Sequence, residues 1–297
     1  MSEKKIINGC GTALITPFHK NFEVDYVAYR ALLKRQLTAG IDFLVPLGTT
    51  SESPCLEDDE KIKLLEITVE EVNGKVPIIA GAGSNSTKHV IKNLKLFEKF
   101  NLDGFLIVTP YYNKPTQTGL INHFKAVASE TDKPIVMYNV PGRTGVNMTA
   151  DTCLKLAEVQ NIIAIKEASG NFAQMSEIIK YAPTHFNLFS GNDDETFALM
   201  ALGGKGVISV ASNIAPKEIT KMTKAVLDGN LQEGRMLHHL LSPLFKNCFV
   251  ESNPIPVKAG LSLLGLIENV LRPPLYASTE TTSEIMRKTL RELKYVN

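Results

Sequence analysis

The stretch "NIIAIKEASG", residues 161–170, sets an ammonium group inside an apolar run. Lys166 follows Ile162, Ile163, Ala164 and Ile165, and small residues come after it. Strand alternation would put Ile162, Ala164, Lys166 and Ala168 on one face, with the alanines leaving room around the amine. Burial disfavours the charged form of a lysine and lowers its pKa. A lysine tuned in this way is a nucleophile that can form a Schiff base with a ketone. The protonated imine withdraws electrons and acidifies the adjacent carbon, a route to C–C bond formation or cleavage without a metal. The plainer alternative is a lysine that snorkels outward or pairs with Glu167.

Such a cycle needs proton carriers and substrate clamps. Tyr138, Tyr111 and Tyr112 are candidate acid/base groups, with Thr49 and Thr50 as hydroxyl relays. Arg143 follows Pro141-Gly142 and can clamp a carboxylate in bidentate fashion. Gly191 and Ile208 could offer backbone groups to a ligand. Other chemistries lack their signatures. The six histidines show no H-E-x-x-H spacing, and there is no G-x-S-x-G elbow or P-loop. The run "NDDE" at 192–195 reads as a helix start, where acids suit the positive dipole end, so no metal site is expected.

The elements that must position these residues recur at an even pitch. Strand-like runs occupy 9–18, 43–48, 77–83, 104–110, 134–140, 162–169, 187–193 and 206–212, each bounded by Gly, Pro, Asn or Ser. Between them apolar residues fall at helical spacing, as in Tyr26, Tyr29, Leu32, Leu33 and Leu37, or Ile62, Leu65, Val69 and Val72. Asp25 and Glu57 are plausible starts for these two helices. Strands apolar on both faces belong in a covered parallel sheet. Eight strand–helix units without a Gly-rich dinucleotide loop favour an α/β (β/α)8 TIM barrel over an open doubly wound sheet. Functional residues of such barrels sit at the C-terminal strand ends, where Thr49, Tyr111, Tyr138, Lys166 and Gly191 fall. After about residue 225 only helical patterns remain. The expected division is therefore a catalytic barrel over 1–224 and a C-terminal helical extension over 225–297.

Composition narrows the partners. The 297 residues carry 32 basic and 31 acidic side chains, a balance that gives no basic stripe for nucleic acid. No run is long enough to span a membrane, and the start "MSEKKIINGCG" has no apolar leader core, so a cytoplasmic location is expected. Cys10, Cys55, Cys153 and Cys248 form no C-x-x-C and read as reduced thiols.

The motifs "GTTSES", "TPYYNKP", "YNVPGRTG", "AIKEASGN", "FSGNDD" and "GVISVASN", in this order, resemble the dihydrodipicolinate synthase family across nearly the whole chain. That family belongs to the pyruvate-dependent class I aldolases, which also hold the sialate lyases. The resemblance implies a condensation of pyruvate with aspartate semialdehyde to hydroxytetrahydrodipicolinate, on the route to diaminopimelate and lysine. By that resemblance Lys166 forms the imine with pyruvate, with no other cofactor, and Tyr138 is the acid/base over it. Thr49 and Tyr112 complete its relay, Tyr112 reaching into a neighbouring subunit of a homotetramer built as a dimer of dimers. Thr50 holds the pyruvate carboxylate, Arg143 that of the second substrate, and Gly191 and Ile208 line the pocket through their backbone. The sialate lyases usually lack an arginine at the position of Arg143, which favours the synthase. A pyruvate aldolase acting on a sugar acid and a keto-acid sensor without turnover remain the competing readings.

Two departures from the family pattern stand out. Ser51 replaces the usual glycine of "GTTGE", so this loop is expected to sit slightly differently. The positions matching the family's lysine-binding cleft are Ser53, Pro54, Asp58, Lys61, Asn85, His89 and Tyr111. Sensitive members commonly have an acid where His89 stands. Lys61 and His89 therefore predict weak or absent inhibition by lysine.

Overall fold

The computed structural model describes residues 7–296. Eight parallel strands form one sheet: β1 Gly9–Ala13, β2 Phe43–Val45, β3 Ile79–Gly81, β4 Gly104–Val108, β5 Ile135–Asn139, β6 Ile162–Glu167, β7 Asn187–Ser190 and β8 Gly206–Ser209. Their order is β2-β1-β8-β7-β6-β5-β4-β3, and a parallel bridge between Leu44 and Ile78 brings β2 to β3 and all but closes the ring. With helices between the strands, this is a (β/α)8 barrel.

Strand alternation supplies two cores. Val45, Ile79, Leu106, Val136, Ala164, Phe189 and Ile208 fill the barrel interior. Leu44, Phe105, Ile107, Met137, Ile165 and Val207 face outward and pack with the helices. Phe43 and Phe189 meet edge to face inside, with ring centroids 5.6 Å apart. Gly11 makes this possible, because a Cβ there would stand 2.1 Å from the Phe43 ring.

The two helix starts read from the sequence are caps. Asp25 accepts from the Ala28 amide ahead of Tyr26–Thr38. Glu57 and Glu60 form a capping box at the head of Asp58–Val72. The "NDDE" run likewise forms a 3-10 turn, Asp193–Glu195, that leads into Thr196–Ala201.

One detail of the alternation differs. The register shifts between Ile135 and Val136, which pair with Ile162 and Ala164, so Ile163 is an extra residue in β6. Ile162 therefore packs on the helix side, and Ile163 joins Ala164 and Ala168 on the interior side.

Beyond the barrel come the helices Leu231–Asn247, Ile255–Leu263 and Glu280–Glu292. The helix that follows β8 spans Pro216–Leu227, so a division at 224/225 falls inside it. All four cysteines are free thiols. No helix among the described residues is long and apolar enough to cross a membrane.

Candidate active site

Strand β6 carries Lys166 into the barrel mouth, in register with Tyr138 on β5 and Phe189 on β7. The lysine is 5 % exposed, and its Nζ lies 4.3 Å from the centroid of the Tyr138 ring. Burial lowers its pKa to about 8; the Asp193 carboxylate opposes that shift and the Arg143 guanidinium adds to it. Burial also pushes the Tyr138 hydroxyl up to about 12, against the pull of Arg143. The amine is thus the easier of the two to deprotonate.

Thr49 and Thr50 sit in a 3-10 turn, Thr49–Ser51, at the end of the β2 segment. Glu52 follows in the left-handed region with φ 55°. Ser51 does not share that conformation, so the residue replacing glycine is unstrained there. Its hydroxyl donates to the Leu14 carbonyl at 2.6 Å, and its own carbonyl accepts from Thr16 Oγ1 at 2.8 Å. The loop is held from below by a buried ion pair. Lys258 Nζ donates to Glu52 Oε1 at 2.7 Å and to the Thr16 carbonyl at 2.8 Å. The Arg272 amide donates to Glu52 Oε2 at 3.0 Å, while its guanidinium grips both oxygens of Glu60. The C-terminal extension therefore fixes the turn that presents the threonines.

Arg143 lies on the short helix Pro141–Thr144. Its NH2 donates to the Asn253 carbonyl at 3.2 Å, and Asn253 Nδ2 donates to Thr50 Oγ1 at 2.9 Å. Asn253 is buried, and its Oδ1 has no protein partner among the described residues. The Arg143 loop is anchored underneath by Glu167, whose carboxylate accepts from Asn139 Nδ2, Gln174 Nε2 and the Ser169 amide. Asn139 Oδ1 in turn accepts the Met148 amide at 3.0 Å.

Gly191 follows β7, and its amide donates to the Glu167 carbonyl at 2.7 Å. A Cβ at Gly191 would stand 2.7 Å from the Ala168 Cβ and 3.1 Å from Lys166 Cε, so glycine keeps the amine's surroundings open. Asp193 is buried and accepts from Ser209 Oγ at 2.5 Å and from the amides of Val210 and Ala211, each at 3.0 Å.

Lys166, Tyr138, Thr49, Thr50, Arg143 and Gly191 all line one inner cavity of about 60 Å³, joined by Asn253. Ile208 is buried in the barrel interior and does not line it. Tyr112 is not brought there either: it is 88 % exposed, with φ 73° and its amide bonded to the Thr144 carbonyl. Among the described residues no hydrogen bond joins Thr49 to the Tyr138 hydroxyl. Ser53, Pro54, Lys61, His89 and Tyr111 line a separate outer cleft of about 480 Å³ that shares Thr49, Tyr138 and Arg143 with the inner cavity. Asp58 and Asn85 do not line it. Asp58 pairs with Lys61 and Lys92, and the Asn85 carbonyl accepts from Asn113 Nδ2.

The profile of the Dihydrodipicolinate synthetase family matches residues 6–293. The chain belongs to this family. Among named relatives of the family, the 4-hydroxy-tetrahydrodipicolinate synthase of Thermotoga neapolitana is 49 % identical over 291 residues, covering 97 % of this chain and 99 % of its own. That of Phocaeicola vulgatus is 50 % identical over 289 residues, with 97 % of each chain covered. A crystal structure of the dihydrodipicolinate synthase from Thermotoga maritima superposes with a TM-score of 0.96 at 47 % identity, covering 98 % of this chain and 100 % of that one. The chain is thus an enzyme of the dihydrodipicolinate synthetase family.

Asn253, Asp193, Glu167 and the Glu52–Lys258 pair shape the site without being marked as site residues by any sequence motif. In the sequence Asp193 shows only as an acid at a helix start. Glu167 appeared only as a partner for Lys166, whereas adjacent strand residues point to opposite faces. For Asn253 and Lys258 the sequence holds no local signal, because their partners lie more than 200 residues away.

Proposed function

We propose that this chain condenses pyruvate with L-aspartate 4-semialdehyde to 4-hydroxy-tetrahydrodipicolinate, through a Schiff base on Lys166, in lysine and diaminopimelate biosynthesis. The observation that carries the reading is the buried Lys166 amine, with a pKa of about 8, opening onto a small cavity lined by hydroxyls and Arg143. At pH 7 such an amine is ~10 % neutral, against well under ~0.1 % for an unperturbed lysine.

The neutral amine attacks the pyruvate ketone, and water leaves to give the protonated imine. Loss of a methyl proton gives the enamine, whose carbon attacks the aldehyde of the second substrate. The aldehyde oxygen takes up a proton. Attack of the substrate's own amino group on the imine carbon then closes the ring and frees Lys166. Tyr138 is the acid/base for these transfers, since its ring faces Nζ and its high pKa keeps it protonated at rest. Thr49 is its relay partner. Thr50 donates to the pyruvate carboxylate, Arg143 binds that of the semialdehyde, and Gly191 completes the pocket through its backbone. Tyr112 acts in a neighbouring copy of the chain within a homotetramer, which its exposure in the single chain supports. A cytoplasmic location suits these substrates.

The test is incubation with pyruvate and borohydride followed by peptide mass spectrometry. The expected result is a reduced adduct on Lys166; an unmodified Lys166 would refute the proposal. A coupled assay comparing aspartate semialdehyde with sialic acid then selects the substrate, with turnover expected only for the semialdehyde.

A further inference from the structure

Asp193 is a buried carboxylate to which the proposed steps give no task. Gly191 and Asp193 flank Asn192, whose backbone is extended at φ -118° and ψ 123°, so their Cβ directions share one side. That side faces the amine: a Cβ at Gly191 would stand 3.1 Å from Lys166 Cε. Asp193 is 2 % exposed and does not line the inner cavity, whose wall includes Gly191, Asn192 and Val210. Substrate therefore does not meet it. Donors hold the carboxylate still: Ser209 Oγ at 2.5 Å, and the Val210 and Ala211 amides at 3.0 Å each. The Ser209 hydroxyl is itself fixed by the Ser212 amide at 2.9 Å, and the Ser212 and Thr12 hydroxyls lie 2.8 Å apart. Thr12 Oγ1 donates to Gln36 Oε1 at 2.8 Å, and Gln36 Nε2 donates to the Ser212 carbonyl at 2.9 Å. All of these residues are buried, so the carboxylate is set in a rigid polar network.

From this arrangement we infer that Asp193 is a fixed counter-charge that acts through Lys166 and holds the imine nitrogen in its protonated form. The inference rests on the proposed reaction. There a Lys166 ammonium and the pyruvate ketone give a protonated imine and one water, so a single positive charge stays on the nitrogen throughout. A neutral imine draws far less on the methyl carbon, and the enamine would not form. A carboxylate already in place meets that charge without rearrangement. The other charged or titratable groups facing the amine are Arg143, a cation, and Tyr138, neutral with its pKa pushed up to about 12. Glu167, next in the strand, turns its carboxylate to Asn139, Gln174 and Ser169. Facing Asp193 are Lys166 and the thiols of Cys10 and Cys248, which burial and the Asp193 charge keep protonated. Asp193 raises the pKa of Lys166, as a counter-charge must.

The experiment measures the standing imine as pyruvate is titrated, by a brief borohydride quench and intact mass, at several pH values. Asp193→Asn keeps the shape and the hydrogen bonds and removes the charge; Asp193→Ser is a second charge-free variant with the same expectation. Ammonium and protonated imine lose the same support, so at pH 6 the pyruvate affinity of Asp193→Asn should stay within about 2-fold of the unaltered protein. At pH 9, where the free amine is neutral, the variant should bind at least about 5-fold more weakly. A gap that widens with pH is the signature of charge, since general damage weakens binding equally at every pH. Ser209→Ala loosens the same network and keeps the charge, so its gap should stay under about 2-fold at pH 9. A uniform gap, no gap, or a Ser209→Ala gap equal to that of Asp193→Asn overturns the inference. Competitive labelling with acetic anhydride reads the Lys166 midpoint without pyruvate and keeps the two ideas apart. A midpoint that falls in Asp193→Asn, with no borohydride adduct on the unaltered protein, sinks the reaction and keeps the charge pair. An adduct with an unmoved midpoint keeps the reaction and sinks the pair.

Discussion

Asn253 Nδ2 donates to Thr50 Oγ1 at 2.9 Å, so the Thr50 hydroxyl proton is left for another acceptor. The inner cavity is where a substrate carboxylate would supply one. Asn253→Ala is expected to raise the KM for pyruvate about 5- to 15-fold, the worth of one lost neutral hydrogen bond, with a smaller change in kcat. Asn253→Asp should be worse, because a carboxylate would claim the Thr50 proton and repel the substrate. Steady-state kinetics with pyruvate varied decide the point; an Asp variant better than Ala would contradict it.

The amine of Lys166 sets a pH dependence. With a pKa of about 8, the rate of borohydride-trappable adduct formation should rise with pH and level off above that value. Asp193 raises this pKa, so Asp193→Asn should move the midpoint to lower pH. A midpoint near that of a free lysine would show that the burial does not tune the amine.

Tyr112 stands outside the cavity of its own chain. Tyr112→Phe is expected to lower kcat about 100-fold if it completes a relay in a neighbouring copy. Mixing Tyr112→Phe with Lys166→Arg, each nearly inactive alone, should then restore activity after subunit exchange. The mixture's rate is compared with the sum of the two proteins measured apart, and equality of the two would remove Tyr112 from the neighbour's site.

The Glu52–Lys258 pair is fully buried at both side chains. Lys258→Met leaves Glu52 charged without its ammonium and should cost about 3–5 kcal/mol in urea unfolding. Adding Glu52→Gln should recover part of that loss, because the stranded charge goes with it. Equal instability of the single and double variants would place the cost in packing.

His123 predicts acid sensitivity. Burial lowers its pKa to about 4, and its Nδ1 pairs with Thr87 Oγ1 at 2.9 Å. The unfolded chain binds this proton more readily, with a pKa near 6.5, so the stability is fully present above ~6.5 and is lost as pH falls through about 4. The loss should reach ~3 kcal/mol. His123→Gln should flatten the stability profile between those limits, measured by urea titrations at several pH values.

Much of the barrel was legible because each strand is a short apolar run punctuated by Gly, Pro or Asn, and each helix keeps one apolar stripe. The strand ends then named Lys166, Tyr138, Thr49, Thr50 and Arg143 as neighbours, and the fold brings them together. Local pattern failed where geometry is not periodic. The extra residue Ile163 turns Ile162 to the helix side without leaving a mark in composition. Ser51 in place of glycine points to a shifted loop, yet the left-handed conformation that would favour glycine belongs to Glu52. Asn253 sits in a polar turn and shows nothing of the 203-residue span that joins it to Thr50.

The contacts from Asn253, Lys258 and Arg272 to Thr50, Glu52 and Glu60 span 203 to 220 residues. A ribosome that has finished the eighth strand has not yet made any of them. The nascent barrel therefore carries an unmatched Glu52 at its mouth, and contacts this distant in sequence form late and slowly. The order of synthesis works as a checkpoint: the turn that presents Thr49 and Thr50 locks only when the tail of the same molecule arrives.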